Sequence, residues 1–292
     1  MDVGFTRLFV VRRKRRAHVS KTLLSLAPLS VLPLGPVEQI DAASAAGFEM
    51  TGLRLMPVSP GDPPILPDQG LRRRIAQRLD ATGVQVLDIE VFRVHPALDV
   101  PALMPAIELG ATLGAKYLVC TFPLRSEGTR DDEDATVEKL VRLCEVTAQH
   151  GIRPMLEFMA YRLMGNLGDA NRIAAKTAHK NLGICVDALH LQRSGGAPAD
   201  LREIDPALLS YCQICDAPAM APSVQEIPLE ARYRRLAPGE GELPLAELIA
   251  ALPANVPLSI EVPDSMRVDK TAVAIAMHLA RATLALIDGF RQ

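Results

Sequence analysis

The sequence predicts a single-domain (β/α)8 TIM barrel, in which eight parallel strands alternate with helices. From Leu23 onward, short apolar runs alternate with amphipathic stretches, which is the pattern of repeated βα units. Eight such apolar runs occur, and a chain of 292 residues is long enough to form the whole barrel as one unit. An open doubly wound sheet is the alternative, but no glycine-rich phosphate-binding turn follows an early strand.

Each predicted strand is an apolar run that ends at polar or turn residues. The eight runs are 23–32, 49–56, 85–94, 117–122, 153–159, 182–191, 208–217 and 257–262. Amphipathic patterns predict helices at 37–46, 68–81, 101–113, 131–150, 169–179, 244–251 and 269–288. Gly83, Gly114 and Gly151 precede strands and are typical of helix ends. The acidic residues at 131–134 suit the first turn of a helix, where they oppose the positive end of its dipole.

Two segments do not follow the βα pattern. Residues 1–19 include the basic sequence RRKRR, and we interpret them as a flexible extension before a barrel domain at 20–292. A secretory signal is the alternative, but the apolar stretch after the basic residues is needed as the first strand. Residues 219–242 lack clean periodicity and follow the seventh strand, on the face where barrel active sites are built.

The composition limits the classes of partner. A formal net charge of −2 and an aromatic content of 4% without tryptophan argue against a nucleic-acid partner. The sequence also has no long apolar run that would predict a membrane protein. Five cysteines, an odd number that includes the pair Cys212 and Cys215, indicate reduced, buried thiols in a cytoplasmic protein. In a strand, those two side chains would point to opposite faces, so we do not expect a zinc or redox site there.

Oxygen-bearing side chains end four consecutive predicted strands: Glu157, Asp187, Gln213 and Glu261. In a barrel these ends meet, and three carboxylates in one pocket repel each other unless a cation neutralises them. We therefore predict one divalent metal bound by these four residues. Oxygen donors favour Mn²⁺ or Mg²⁺, and Co²⁺ could substitute. Asp216, three residues beyond Gln213, is interpreted as a carboxylate that fixes a loop.

The motifs around these residues are LEF (Glu157), VDALH (Asp187 and His190), CQICDAP (Gln213) and SIEVP (Glu261). In this order they resemble the xylose isomerase-like superfamily, the sugar phosphate isomerase/epimerase group that includes endonuclease IV. The resemblance extends from about residue 20 to the end of the chain. It implies that Glu157 and Glu261 are an acid/base pair as well as metal ligands. It also implies that His190 binds a substrate oxygen or transfers a proton.

The resemblance implies a reaction as well as a site. In the family's epimerases the metal polarises a hydroxy-ketone, so that a carboxylate removes the neighbouring proton and an enediolate forms. An isomerase or epimerase of a small sugar-like substrate is therefore our first hypothesis. Gln213 stands where many epimerases have histidine, and glutamine is familiar there in dehydroshikimate dehydratases. A lyase of the 3-dehydroshikimate or inosose dehydratase type is the main alternative.

Further residues are candidates for substrate binding. Arg54 ends the second predicted strand and His95 follows the third, so both face the predicted mouth. Arg232, Arg234 and Arg235 lie in the 219–242 segment and could bind a carboxylate or phosphate. Among these five we predict Arg54, His95 and Arg232 as substrate-binding residues. Dimers and tetramers are common among such relatives, and the sequence leaves the oligomeric state of this chain open.

Two other classes of function are weaker alternatives. A DNA-repair enzyme like endonuclease IV would need a histidine-rich site for several metals. This chain has only six histidines, which is few for such a site. Three of them, His150, His179 and His278, fall on predicted helices. A non-catalytic binding protein on the same barrel would have no need of paired acid/base glutamates.

Overall fold

The computed structural model describes residues 22–58, 62–264 and 270–290, and these form the predicted (β/α)8 barrel. Eight parallel strands pair in chain order, and the barrel closes where β1 pairs with β8. The strands are β1 Leu24–Leu26, β2 Met50–Leu53, β3 Gln85–Arg93, β4 Tyr117–Thr121, β5 Arg153–Glu157, β6 Gly183–Asp187, β7 Cys212–Ile214 and β8 Leu258–Ile260. The predicted extension at residues 1–19 lies outside the described residues.

Helices connect the strands and cover the barrel. They are α1 Pro36–Ala46, α2 Gln69–Thr82, α3 Met104–Thr112, α4 Glu133–Gln149, α5 Leu167–Thr177, α6 Ala188–Arg193, α7 Ile227–Tyr233, α8 Leu245–Ala251 and α9 Ala272–Gly289. Side chains cap several of them, as where Asp68 accepts a hydrogen bond from the Leu71 amide at the start of α2. Gly83 ends α2 with a φ of 72°, the left-handed conformation that favours glycine.

The predicted strand runs are longer than the strands. β1 ends at Leu26 because Pro28 begins a single 3-10 turn. β6 ends at Asp187, whose side chain accepts a hydrogen bond from the His190 amide at 2.8 Å and so caps α6. Residues 188–191, which we predicted as strand, are therefore helical. The 219–242 segment, predicted as irregular, contains the short helix α7.

A cluster of buried side chains, near the start or in the middle of the strands, fills the barrel interior. Its members are Met50, Leu87, Val119, Met155, Cys185 and Tyr211. The Tyr211 ring stacks on Tyr117 with their centroids 4.9 Å apart. Because this cluster fills the interior from the start to the middle of the strands, the polar residues at the strand ends lie at the mouth beyond it.

The cysteines are all buried, and none of them forms a disulfide. This agrees with the prediction of buried thiols. Cys212 belongs to β7, and Cys215 follows the end of that strand. Burial raises the pKa of the Cys144 thiol to about 12, so that thiol is un-ionised at neutral pH.

Helix α9 packs against α1 and has an apolar surface that is partly exposed, at Val273, Met277 and Leu284. In the described part of the chain it is the one helix with the length and apolar composition of a membrane span. Core helices of water-soluble proteins pass the same test of length and composition, so this helix by itself is weak evidence for a membrane.

Candidate active site

The four predicted metal ligands lie together at the mouth of the barrel. Glu157 and Asp187 are the last residues of β5 and β6, and Glu261 follows β8 directly. Gln213 in β7 pairs in register with Asp187. All four side chains are buried, with relative exposures between 1% and 5%. We call Glu157, Asp187 and Glu261 the carboxylate cluster.

A buried arginine joins two members of the carboxylate cluster. Arg235 is 2% exposed, and its Nη1 lies 2.6 Å from Asp187 Oδ2 and 3.1 Å from Glu261 Oε2. Its Nε donates to the Ala231 carbonyl, and its backbone amide donates to the Pro263 carbonyl at 3.1 Å. From the sequence we considered Arg235 for binding an anion from outside. In the structure, the anionic partners of Arg235 are two carboxylates of the protein itself.

Asp216 fixes the loop that carries Arg235, as predicted. Its carboxylate accepts hydrogen bonds from the backbone amides of Ala217, Gly239 and Leu243, each at 2.9 Å. Gly241 makes this arrangement possible, because a Cβ there would lie 2.4 Å from Asp216 Oδ1. The loop therefore depends on a close backbone approach that other residues would prevent.

His190 lies in the first turn of α6 and faces the carboxylate cluster. Its Nε2 is 3.8 Å from Glu157 Oε1 and 3.4 Å from Arg235 Nη2, and the Tyr161 ring meets it edge-on at 6.0 Å. Its Nδ1 is buried and has no hydrogen-bond partner among the described residues. Burial lowers the pKa of His190 to about 4, so the ring is neutral at pH 7.

The Gln213 amide connects the carboxylate cluster to the barrel interior. Its Nε2 donates to Glu261 Oε1 at 3.3 Å, and its Oε1 accepts from Cys185 Sγ at 3.3 Å. Binding of a cation through the amide oxygen requires rotating the amide by half a turn, which exchanges the two nearly isosteric groups. Gln213 is thus placed at the site, but it turns its nitrogen toward Glu261.

Burial and mutual repulsion disfavour charge on two of the three clustered carboxylates. Burial raises the pKa of Glu157 far above its usual range, and the charges of Glu261 and Asp187 raise it further. Burial also raises the pKa of Glu261 to about 8, although Arg235 opposes the shift. Burial acts to raise the pKa of Asp187 as well, but the Arg235 guanidinium and His190, whose amide donates to Asp187, together outweigh it, and the pKa falls below its usual value.

These observations fit a divalent cation. The cluster has more carboxylates than Arg235 can neutralise, and its oxygen donors suit a hard metal ion. Ligand atoms of Glu157, Asp187 and His190 lie within 4.8 Å of one another. Within the described ranges, no other group of three or more histidine, cysteine or acidic side chains lies this close together. A cation at this position would share the carboxylate of Asp187 with Arg235.

A second group of charges borders the site on the β2–β3 side. Arg54 Nε lies 3.1 Å from Glu90 Oε1, and its Nη1 lies 3.9 Å from Asp62 Oδ2. Burial raises the pKa of Glu90, and the charge of Arg54 opposes that shift. Arg54, which we predicted to bind substrate, therefore has carboxylate partners within the protein.

The other predicted substrate-binding residues are His95 and Arg232. His95 is half-buried two residues after β3, and Arg232 is exposed on α7. Among the described residues, no hydrogen bond or ion pair connects either side chain to the cluster. Arg234 is also exposed, with Nη1 3.9 Å from Glu226 Oε1.

Two residues that follow β5 were not predicted from the sequence. Tyr161 contacts His190, and burial raises the pKa of its phenol to about 12. Arg162 is buried, and its Cζ lies 5.9 Å from the centre of the Tyr161 ring. The sequence did contain one indication of their role: both follow the predicted ligand Glu157 within five residues, on the active-site face.

Comparison with known proteins gives the same architecture. The family profile described as "Xylose isomerase-like TIM barrel" matches residues 40–282. A curated 3-dehydroshikimate dehydratase of Pseudomonas putida (strain KT2440) is 25% identical over 249 residues, which are 82% of this chain and 37% of that protein. The chain therefore spans little more than a third of the length of this relative.

Solved structures share the fold. The crystal structure of IOLI protein with a binding zinc atom has a TM-score of 0.77 and 18% identity, and the match covers 92% of this chain and 99% of that one. D-allulose 3-epimerase from Methylomonas sp., in complex with D-allulose, has a TM-score of 0.69 and 16% identity, with coverage of 92% and 98%. At these identities the likeness concerns the fold alone.

Proposed function

This chain belongs to the xylose isomerase-like TIM barrel family, and we propose that within it the protein is a divalent-metal-dependent lyase. Its substrate would be a hydroxy-ketone acid of the 3-dehydroshikimate type. The buried carboxylate cluster with Gln213 beside it carries the proposal, because it is suited to proton removal next to a ketone. The 3-dehydroshikimate dehydratase of P. putida supports a lyase over the isomerase that we placed first.

Glu157, Asp187, Gln213 and Glu261 would hold the metal, with Mn²⁺ or Mg²⁺ favoured by their oxygen atoms. When bound, such an ion polarises the ketone and makes the neighbouring C–H more acidic. A structural neighbour, IOLI protein, binds a zinc atom, so zinc belongs among the metals to be tested.

The chain's own groups can move the protons. A bound cation would favour the ionised form of Glu157. Glu157 would then accept the proton from C4, next to the C3 ketone, and Arg235 would oppose the negative charge that develops on the ketone oxygen. The electron pair of the broken C4–H bond forms the C4–C5 double bond as the C5 hydroxyl leaves. Glu261, which follows β8 on the other side of the cluster, would donate the proton with which that hydroxyl departs as water. Tautomerisation of the ring then gives 3,4-dihydroxybenzoate.

His190 has a positioning role in this scheme. Its buried Nε2 lies 3.8 Å from Glu157 Oε1, and the ring is neutral at pH 7 because burial lowers its pKa to about 4. A neutral imidazole can donate one hydrogen bond and accept another, so it can orient Glu157 or a substrate hydroxyl.

Epimerisation remains the second candidate because it has the same first step. Glu157 and Glu261 come from β5 and β8, on either side of Asp187 and Gln213, so two acid/base groups are available to one substrate carbon. An epimerase returns the proton to the opposite face of that carbon, with no loss of water.

The test is incubation of the metal-loaded protein with 3-dehydroshikimate, followed by NMR in D₂O and by the absorbance of 3,4-dihydroxybenzoate. We expect dehydration that Glu157→Gln abolishes and that Arg142→Gln, an exposed control on α4, retains. Solvent deuterium exchange into ketoses or inososes without loss of water would identify an epimerase. Neither reaction on any of these substrates would refute the proposal.

A further inference from the structure

Three arginines are buried in the described part of the chain: Arg162, Arg193 and Arg235. Two of them have carboxylate partners. Arg193 Nε lies 2.8 Å from a carboxylate oxygen of Glu230, and Arg235 contacts the carboxylate cluster. Arg162, with a relative exposure of 9%, has no carboxylate within 4.0 Å among the described residues. It is thus the one buried arginine in these ranges without a counterion.

The contacts of Arg162 leave part of its guanidinium available. Nη1 donates to the Phe122 carbonyl at 2.6 Å, and Nε lies 3.1 Å from Met159 Sδ. Nη2 donates no hydrogen bond to any residue that the structure describes. Both contacts are with residues that follow the ends of β4 and β5, so the guanidinium lies on the active-site face.

The backbone around Arg162 is held in place. Arg162 forms an antiparallel bridge with Leu124, and its amide donates to the Met159 carbonyl at 2.8 Å. The Leu163 amide donates to the Pro123 carbonyl at 3.0 Å. These bonds join the loops that follow β4 and β5. The guanidinium is therefore fixed before any ligand binds, which lowers the entropic cost of recognition.

The position of Arg162 relates it to the candidate active site. Its Cζ lies 5.9 Å from the centre of the Tyr161 ring, and the same ring meets His190 at 6.0 Å. Arg162 and His190 thus contact the same ring, and the guanidinium lies on the β5 side of the carboxylate cluster.

We propose that Arg162 binds the carboxylate of an acidic substrate and so determines that this site accepts an acid. The inference rests on the proposed function and deepens it, because it assigns the residue that recognises the acid group. A buried cation without a counterion is costly, and an incoming carboxylate would supply one. The planar guanidinium also matches the two oxygens of a carboxylate.

The other arginines near the mouth are less suited to this role. Arg54 already has Glu90 and Asp62 as partners, and Arg235 has the carboxylate cluster. Arg232 is solvent-exposed on α7, where a charge pair is weak. The carboxylate of a substrate whose ketone faces Asp187 and Glu261 therefore has its best partner in Arg162.

The test compares the binding of 3,4-dihydroxybenzoate and catechol, which differ only in the carboxylate. Calorimetry on the metal-loaded wild type should give tighter binding of the benzoate by about 10- to 100-fold, the usual range for a hydrogen bond to a charged group. Arg162→Gln should remove this preference and leave catechol binding unchanged. Arg162→Lys should retain part of the preference, and Arg232→Gln should retain all of it.

Several results would overturn the inference. If Arg162 only supports the loops, Arg162→Gln will weaken benzoate and catechol equally and lower Tm. If the preference disappears in Arg232→Gln, the anion lies elsewhere, and a wild type that binds neither probe also counts against the inference. Should Arg162→Gln fail to fold, a crystal structure of the wild type with 3,4-dihydroxybenzoate decides, and a carboxylate away from Arg162 refutes the assignment.

Failure of this inference can be told from failure of the proposed function. If the wild type dehydrates 3-dehydroshikimate and Arg162→Gln has the same KM, the lyase assignment stands and the role of Arg162 is refuted. If the wild type does not dehydrate that substrate but shows a benzoate preference that depends on Arg162, the reaction is refuted and acid recognition stands. We expect dehydration in the wild type, and in Arg162→Gln a raised KM with little change in kcat.

Discussion

Replacing Arg235 should destabilise the metal-free protein far more than the metal-loaded protein. Arg235→Met keeps much of the side-chain volume but removes the cation that contacts Asp187 and Glu261 at 2.6 and 3.1 Å. Removal of one partner from such a buried ion pair costs about 3–5 kcal/mol. A metal ion would neutralise the same carboxylates, so the loss in the metal-loaded protein should be smaller. Each 1.4 kcal/mol of difference between the two losses should strengthen metal binding about tenfold.

Urea unfolding with and without Mn²⁺ measures the two losses, and calorimetric titration with Mn²⁺ measures affinity directly. The matched control is Arg193→Met, since Arg193 is also buried and its Nε and Nη2 each lie 2.8 Å from a Glu230 oxygen. This control should lose about 3–5 kcal/mol in both states, with no change in affinity for Mn²⁺.

Two results would contradict the reasoning on Arg235. Equal losses of stability with and without Mn²⁺ would mean that the guanidinium and the metal do not share carboxylates. Weaker metal binding by Arg235→Met would mean that the arginine supports the metal site and does not compete for it.

Three further predictions concern the same site. Glu157→Gln should lower kcat for dehydration by about 10²- to 10⁴-fold, measured from initial rates, because the proton acceptor is lost; unchanged kcat would exclude that role. Because the folded pKa of Glu261 is raised to about 8 from 4.5, the metal-free protein should lose stability as pH rises from about 4.5 toward 8, and Mn²⁺ should reduce that loss. Urea unfolding across this range tests the sign, which a stability rising with pH would contradict. Gly241→Ala should lower the free energy of unfolding by about 1–3 kcal/mol, because the added Cβ would clash with Asp216. The control Gly289→Ala has no atom near its added Cβ and should leave Tm almost unchanged. Equal Tm values for the two variants would refute the clash.

The polar ends of the late strands were predictable because each follows an apolar run. Glu157, Asp187 and Glu261 could be placed together from the geometry of parallel strands alone, since carboxyl ends in a barrel meet at one mouth. Gln213 could be added because it occupies the equivalent place in the seventh run. This part of the site depends on local pattern and on fold class, and both are visible in a sequence.

The role of Arg235 was not predictable in the same way. Its partners lie far away in the chain, with Asp187 48 residues away, and the 219–242 segment has no periodicity to orient its side chains. Antiparallel bridges between Asp216 and Leu236 and between Arg234 and Asp264 hold the segment in place. Such long-range pairing leaves no short pattern in the sequence.

The error at 188–191 has a local cause. Three of these four residues are apolar and continue the strand pattern, and a run this short cannot distinguish a strand from a helix by periodicity. Asp187 was nevertheless a helix-start signal, since aspartate is a preferred N-cap residue. One carboxylate thus caps a helix through Oδ1 and contacts Arg235 through Oδ2.

All four predicted metal ligands come from β5 to β8, whereas the first half of the barrel contributes the internally paired Arg54 and Glu90. The predicted ligands and the opposite wall of the mouth are therefore encoded in separate stretches of the chain. Loops that follow β1 to β4 could be exchanged with those of another barrel without transplanting a single ligand. Under the proposed function, residues 153–264 would carry the whole reaction centre, and chimeras that keep this stretch would retain the proposed base, Glu157, while the opposite wall of the mouth changes.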